Sequence, residues 1–200
     1  PPGLPSEARI IKIIEAGTRL LTRRGFTHYE VSAWARGARC RHNLNYWRFG
    51  DYLGLGAGAH AKITRAGRIW RRANPEISDA YLSGKRGVWR EVPPQRLPFE
   101  FMLNRLRLYS ACSAVSFCEF TEATGLDPAC LMPALKEGAK LGLLSLGEQD
   151  LTLTSRGRRY LNDVLQLFMG ADEVDMGEST GVSGEAGREQ GGEAAREAHR

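Results

Sequence analysis

Residues 6–31 read SEARIIKIIEAGTRLLTRRGFTHYEV, and this stretch decides the fold class. Ser6 stands where a helix N-cap belongs, and Ile10, Ile13, Ile14, Gly17, Leu20 and Leu21 recur at the spacing of one helical face. Arg23 and Arg24 place positive charge on the electronegative end of that helix, and Gly25 supplies its stop. Thr27 to Val31 then reads as a β-rich run, and a second short apolar run, DYLGLG from Asp51 to Gly56, reads as another strand. Helix, strand, loop, strand is the order of an α/β fold. Two strands and one helix do not complete a closed α/β sheet, so the segment is expected to belong to a larger one.

Beyond this core motif, AKITRAGRIWRR predicts a hairpin turning at Arg65-Ala66-Gly67, and NPEISDAYLSG predicts a short helix opened by Asn74-Pro75 and ended by Gly84. The proline-rich REVPPQRLP, residues 90–98, reads as a linker. After it, Phe99, Met102, Leu103 and Leu106 fall on one helical face. SFCEFTEATGL, ACLMPALKEGAKLGLL, LSLGEQDLTLT and SRGRRYLNDVLQLFM follow as helix, helix, hairpin, helix, the element order of a winged-helix-like unit. The expected organisation is therefore an α/β part over residues 1–92, a mostly helical winged-helix-like part over 93–169, and a tail from 170 to 200. The tail is rich in Gly, Glu, Ala and Ser without an aromatic, a composition that predicts disorder.

Charge is distributed unevenly. Residues 1–98 hold 18 Lys/Arg against 7 Asp/Glu, whereas 99–170 hold 7 against 8, so anion-facing chemistry is expected in the first part. The hairpin-flanking helix ACLMPALKEGAKLG carries only Lys136 and Lys140 against Glu137, too little positive charge for a helix that reads nucleic acid. No apolar run reaches the ~20 residues of a membrane-spanning helix and no signal peptide opens the sequence, which predicts a cytoplasmic protein. Cys40, Cys112, Cys118 and Cys130 form no tightly spaced pair and read as free thiols.

Two clusters carry candidate chemistry. In parallel α/β sheets the loops after the carboxyl ends of strands form the ligand-binding face, and both clusters are expected there. The first runs from Arg39 to Trp47 and holds His42, Asn43, Tyr46 and Trp47 in an arginine-rich loop. A neutral imidazole at His42 suits a metal, and with Tyr46 and Trp47 following it suits a flat macrocycle held by its iron and its faces; a loop-bracing hydrogen bond is the alternative, and Cys40 is a second candidate ligand. Arg36, Arg39, Arg41 and Arg48 surround it as partners for carboxylates. The second cluster is Gly56, Ala57, Gly58, Ala59 and His60, small residues that let a flat ligand approach the backbone, or simply a tight turn; its spacing is not that of a dinucleotide loop.

The segments YEVSAWA, HNLNYW, FGDYLGLGAGAH, FEFMLNRLRL and LTSRGRRYLNDVLQLF together resemble the radical S-adenosylmethionine family of oxygen-independent coproporphyrinogen III oxidase-like proteins, in its HemW-type heme-chaperone branch. The block His42-Asn43-Leu44-Asn45-Tyr46-Trp47 is the most specific element, and it resembles the chaperones rather than the oxidase, which stands as the alternative. The resemblance implies the C-terminal part of a partial (β/α) barrel followed by the winged-helix-like unit. It implies heme as ligand at His42, Asn43, Tyr46 and Trp47, S-adenosylmethionine near Gly56 to His60, a [4Fe-4S] cluster in the full-length protein, and heme-accepting respiratory proteins as partners. The motif C-x-x-x-C-x-x-C that would hold the cluster is absent from these 200 residues, so the chain reads as the C-terminal half of a longer protein, inactive alone in radical chemistry.

Overall fold

The computed structural model describes residues 3–109 and 113–169. The tail expected at 170–200, and Cys112, lie outside them. The described residues within Pro1–Gly170 form one compact unit.

Helix α1, Glu7–Arg23, runs from Ser6 to a Gly25 held at φ 78°, as its pattern predicts, although the Ser6 side chain makes no capping hydrogen bond. None of its residues is buried: Ile10, Ile13, Ile14 and Leu20 all lie exposed. Strands β1, Thr27–Glu30, and β2, Ala33–Ala35, form a two-stranded antiparallel ladder, with the His28 and Trp34 rings stacked 4.2 Å apart. The other edge of β1 is occupied from far along the chain: the Val31 amide donates to Arg107, and the Tyr109 amide donates to Tyr29.

Helix α2, Arg41–Trp47, takes the place of the expected polar loop. It contains Leu44 and Trp47 turned partly inward, and it closes on Phe49, buried with φ 63°. The DYLGLG run is not a strand. Only Tyr52 pairs, in a single bridge to Lys62. The reason is steric and conformational: Gly56 and Gly58 adopt left-handed φ values of 109° and 68°, and a Cβ on Gly54 would lie 2.1 Å from the His60 carbonyl oxygen, so the chain crosses the next strand instead of running beside it.

Strands β3, His60–Arg65, and β4, Arg68–Ala73, form the expected hairpin in full register, closed by Ala66 and Gly67 at φ 50° and 73°, the backbone of a two-residue I′ turn. After helix α3, Ser78–Leu82, which begins three residues later than Pro75 suggests, β5, Arg90–Glu91, joins β4 as a third antiparallel strand. The expected linker is thus structured: β5, the buried Val92, a 3-10 turn at Pro94–Arg96 and helix α4, Leu97–Arg105, follow without a gap. Phe101, Met102, Leu97 and Leu106 point inward from α4, while Phe99 and Leu103 of the expected face are only partly buried.

The remainder follows the predicted order. Strand β6, Val115–Ser116, helix α5, Phe117–Thr124, a 3-10 turn and helix α6, Met132–Lys140, precede the hairpin β7, Leu144–Leu146, and β8, Asp150–Leu153, in a sheet ordered β6-β8-β7. The last predicted helix is two, α7, Ser155–Arg159, and α8, Leu161–Gln166, broken at Tyr160. One hydrophobic cluster joins Phe49 and Ile69 from the first part to Phe101, Phe120, Leu135, Leu151 and Val164 from the second, with Phe101 edge-on to both Phe49 and Phe120. Every ladder among the described residues is antiparallel, so the two clusters do not follow the carboxyl ends of parallel strands as expected.

Candidate functional site

The two clusters are connected through the β3–β4 hairpin. On α2, His42 is exposed in the first turn, and its side chain makes no hydrogen bond among the described residues. Asn43 points inward instead, its side-chain amide donating to the Tyr29 hydroxyl at 3.2 Å, which assigns it a bracing role. Tyr46, one helical turn beyond His42, lies 4.7 Å from the Trp47 ring and 4.7 Å from the Tyr52 ring. Trp47 is covered by the Arg107 guanidinium at 5.0 Å, and its enclosed indole nitrogen has no acceptor. The two aromatic rings expected to face a macrocycle are therefore already engaged by the protein, and of His42, Asn43, Tyr46 and Trp47 only His42 is exposed. Cys40 is also exposed.

From Tyr52 the connection continues. Burial, and then the hydrogen bond to Tyr46, push its phenol up to about 12, and its oxygen accepts from Arg71 at 3.1 Å. Arg71 also pairs with Glu100 of α4 at 2.5 Å. On the adjacent strand Lys62 is only 1% exposed, and its ammonium donates to the Phe49 carbonyl at 2.8 Å and to Asp51 at 2.9 Å while lying 4.3 Å over the Phe49 ring. Burial lowers the lysine's proton affinity, and Asp51 partly restores it. Asp51, for its part, feels burial pushing its pKa up, but the Thr64 amide, Lys62 and the Thr64 hydroxyl together hold it below its ordinary value.

The glycine segment is pinned from below by Asn74. Its side-chain amide donates to the carbonyls of Gly56 at 3.0 Å and Gly54 at 3.3 Å, while the Gly56 amide donates to the Tyr81 hydroxyl and the Gly58 amide to Pro75. Gly58 and Ala59 are partly buried, Ala57 and His60 exposed. A side chain at Gly56 would meet nothing within 4 Å, so this part of the backbone is open to an approaching group. His60 lines a groove with Arg71, Arg72, Arg86, Arg90, Arg96 and Glu100, and His42 is not part of that lining; no single sequence motif announces this groove.

Of the arginines expected to bracket His42, Arg36 lies over Phe26 and Arg39 over Tyr29, while Arg41 and Arg48, at the two ends of α2, are exposed. The described cysteines, Cys40, Cys118 and Cys130, are all exposed and free, and no group of three His, Cys, Asp or Glu side chains among the described residues is placed to hold a metal. These residues do not fit a [4Fe-4S] cluster, which needs several thiolates. No helix is long and apolar enough to cross a membrane among the described residues.

Comparison with known proteins agrees with the sequence reading. The HemN C-terminal domain family matches residues 92–160. The chain is 40% identical over 172 residues to the heme chaperone HemW of Escherichia coli (strain K12), covering 84% of this chain and 45% of that protein. It is 33% identical over 158 residues to the heme chaperone HemW of Mycobacterium tuberculosis (strain ATCC 25618 / H37Rv), covering 75% and 37%, and 30% identical over 173 residues to that of Bacillus subtilis (strain 168), covering 84% and 44%. Among solved structures it shares its fold with coproporphyrinogen III oxidase (HemN) from Escherichia coli, described as a radical SAM enzyme, with a TM-score of 0.57 and 16% identity over 82% of this chain and 42% of that one. The chain spans somewhat less than half the length of the curated relatives it matches.

Proposed function

This chain is a relative of the heme chaperone HemW proteins and carries the HemN C-terminal domain, and on that premise we propose that it supplies the heme-handling surface of such a protein, with His42 as the iron ligand. The observation that carries this reading is the exposure of His42 on the first turn of α2 without a hydrogen-bond partner, within the block that most resembles the chaperones. A neutral imidazole so presented offers a nitrogen lone pair to iron. Tyr46 and Trp47 support the helix from beneath, and Asn43 fixes its base on Tyr29, so these three position the ligand and do not face heme. Gly56 to His60, with its open edge at Gly56, is the candidate contact for S-adenosylmethionine.

The finer architecture belongs to the same proposal. Residues 1–92 are the closing part of a partial barrel, and the order α5, α6, β7–β8, α7 with the three-stranded β6-β8-β7 sheet supports a winged-helix-like unit over 93–169. In the longer relatives the cluster would sit on thiolates outside these residues, and a heme-accepting respiratory protein would be the recipient.

Heme titration followed by Soret absorbance tests the assignment. His42→Ala is expected to weaken heme binding by tenfold or more, about 1.4 kcal/mol, and to shift the Soret band as the axial ligand is lost. Unchanged affinity and spectrum in a variant with wild-type circular dichroism would remove His42 as ligand and turn attention to Cys40.

A further inference from the structure

Lys62, Arg71 and Arg90 stand directly opposite one another on three adjacent strands, β3, β4 and β5. Like charges in such cross-strand positions repel, so each requires a nearby anion. Lys62 has Asp51 and Arg71 has Glu100. Among the described residues no carboxylate lies within ion-pair distance of Arg90, the third in the row, nor of Arg72 and Arg86 nearby.

Arg71, Arg72, Arg86 and Arg90, but not the enclosed Lys62, line one open groove of about 690 Å³, within the range of small-molecule sites. Five arginines border it against two glutamates; Glu100 pairs with Arg71, one of the five, and Glu91 pairs with Arg68 outside the groove, so the remaining arginines keep an excess of positive charge there. The guanidinium planes are held in place by rings: Arg72 lies 4.8 Å from the centre of Trp89, and Arg86 lies 4.3 Å from that of Tyr81 while also donating to the Tyr81 and Lys85 carbonyls. Gly87 keeps the 84–89 segment tight on the end of β4, since a Cβ there would lie 1.8 Å from the Ala73 oxygen. Stacked guanidinium groups lose little freedom on binding and present paired N–H donors that match carboxylates.

We propose that this groove receives a pair of carboxylates borne on one small ligand, and that in a heme-handling protein these are the two propionates of the tetrapyrrole. The identity of the ligand rests on the proposed function; the anion site rests on the groove alone. The groove is connected to α2 by the Arg71–Tyr52–Tyr46 contacts, but its chemistry is independent of iron.

The test uses that independence. Deuteroporphyrin IX, an iron-free macrocycle with two propionates, is titrated into the 200-residue chain by fluorescence, in parallel with its dimethyl ester. The free acid is expected to bind at least tenfold more tightly than the ester, and Arg72→Gln/Arg90→Gln is expected to abolish that preference while His42→Ala leaves it intact. Arg72→Lys/Arg90→Lys, which keeps the charge, controls for folding and is expected to recover part of the preference. Equal binding of acid and ester, no binding of the acid, or a preference that survives in the folded Gln variant overturns the proposal. Tripolyphosphate binding more tightly than the porphyrin, and lost with the same arginines, would reassign the groove to phosphates and equally overturn it. Failure of His42→Ala to change heme binding, with the acid preference intact, would instead count against the iron ligand alone.

Discussion

Asp51→Asn is expected to destabilise the fold although Asp51 is itself substantially exposed. The reason lies in Lys62, whose ammonium is enclosed with only the Phe49 carbonyl, the Phe49 ring, Thr64 and Asp51 around it. Asparagine keeps an acceptor for the Thr64 amide, which donates to Asp51 at 2.7 Å, and removes the countercharge. Breaking a buried pair by deleting one partner typically costs 3–5 kcal/mol; since the Asp51 side chain is 45% exposed, water supplies part of the compensation and about 2 kcal/mol is the expected loss. Lys62→Met removes the buried charge itself and gives up mainly the bond to the Phe49 carbonyl, so it should cost only about 1 kcal/mol. Urea unfolding of the two single variants and the double variant completes a cycle, in which the double should be no less stable than Asp51→Asn alone. An Asp51→Asn variant within about 0.5 kcal/mol of wild type would refute the premise that Lys62 remains charged and depends on this carboxylate.

Gly54→Ala should destabilise by about 3 kcal/mol or more because its Cβ meets the His60 backbone, whereas Gly56→Ala, strained only by its left-handed φ, should cost about 1–3 kcal/mol; chemical denaturation ranks them, and the reverse order would contradict the crossing geometry. Because the folded pKa of Asp51 lies below its ordinary value of 3.8, its contribution is fully present above that value and is lost as pH falls through 3.8 toward the folded value. Melting temperatures measured from pH 6 to pH 3 should accordingly drop more for wild type than for Asp51→Asn, and parallel curves would refute this. Helix α1, which buries none of its residues, should exchange its amides orders of magnitude faster than α4, where Phe101 and Met102 are fully enclosed; equal protection at low micromolar concentration would show that α1 is held by packing absent from this structure.

What the sequence disclosed followed from locality. The period of α1, the Ala66-Gly67 turn and the order from α5 to α8 depend on residues within a few positions of one another, and the periodicities of helix and strand report them directly. Tyr52, Leu53 and Leu55 give the glycine segment the composition of a strand, while the close contact of Gly54 with His60 that excludes a strand is a packing fact. The polar residues of the α2 segment suggest a loop and mask its inward contacts, Asn43 to Tyr29 and Tyr46 to Tyr52, whose partners lie outside the segment.

The basic surplus illustrates the same division. Its location in the first 98 residues was legible by counting, but its arrangement was not. Proximity in sequence favoured Arg36 and Arg39, which instead spread over Phe26 and Tyr29. Arg90 lies in a stretch whose three prolines suggest a linker, and only the pairing of β5 with β4 aligns it with Arg71 and, through the hairpin register, with Lys62. A one-residue slip of β5 that left Glu91 opposite Arg71 would turn Arg90 to the other face of the sheet and set it opposite Arg72, exchanging one like-charge contact for another but adding an attractive pair that the observed register forgoes. The observed register is therefore set against local electrostatics. The buried Val92, whose amide donates to the Ile69 carbonyl, and the 3-10 turn into α4 hold it, and the positive charge at the wall of the groove is the consequence.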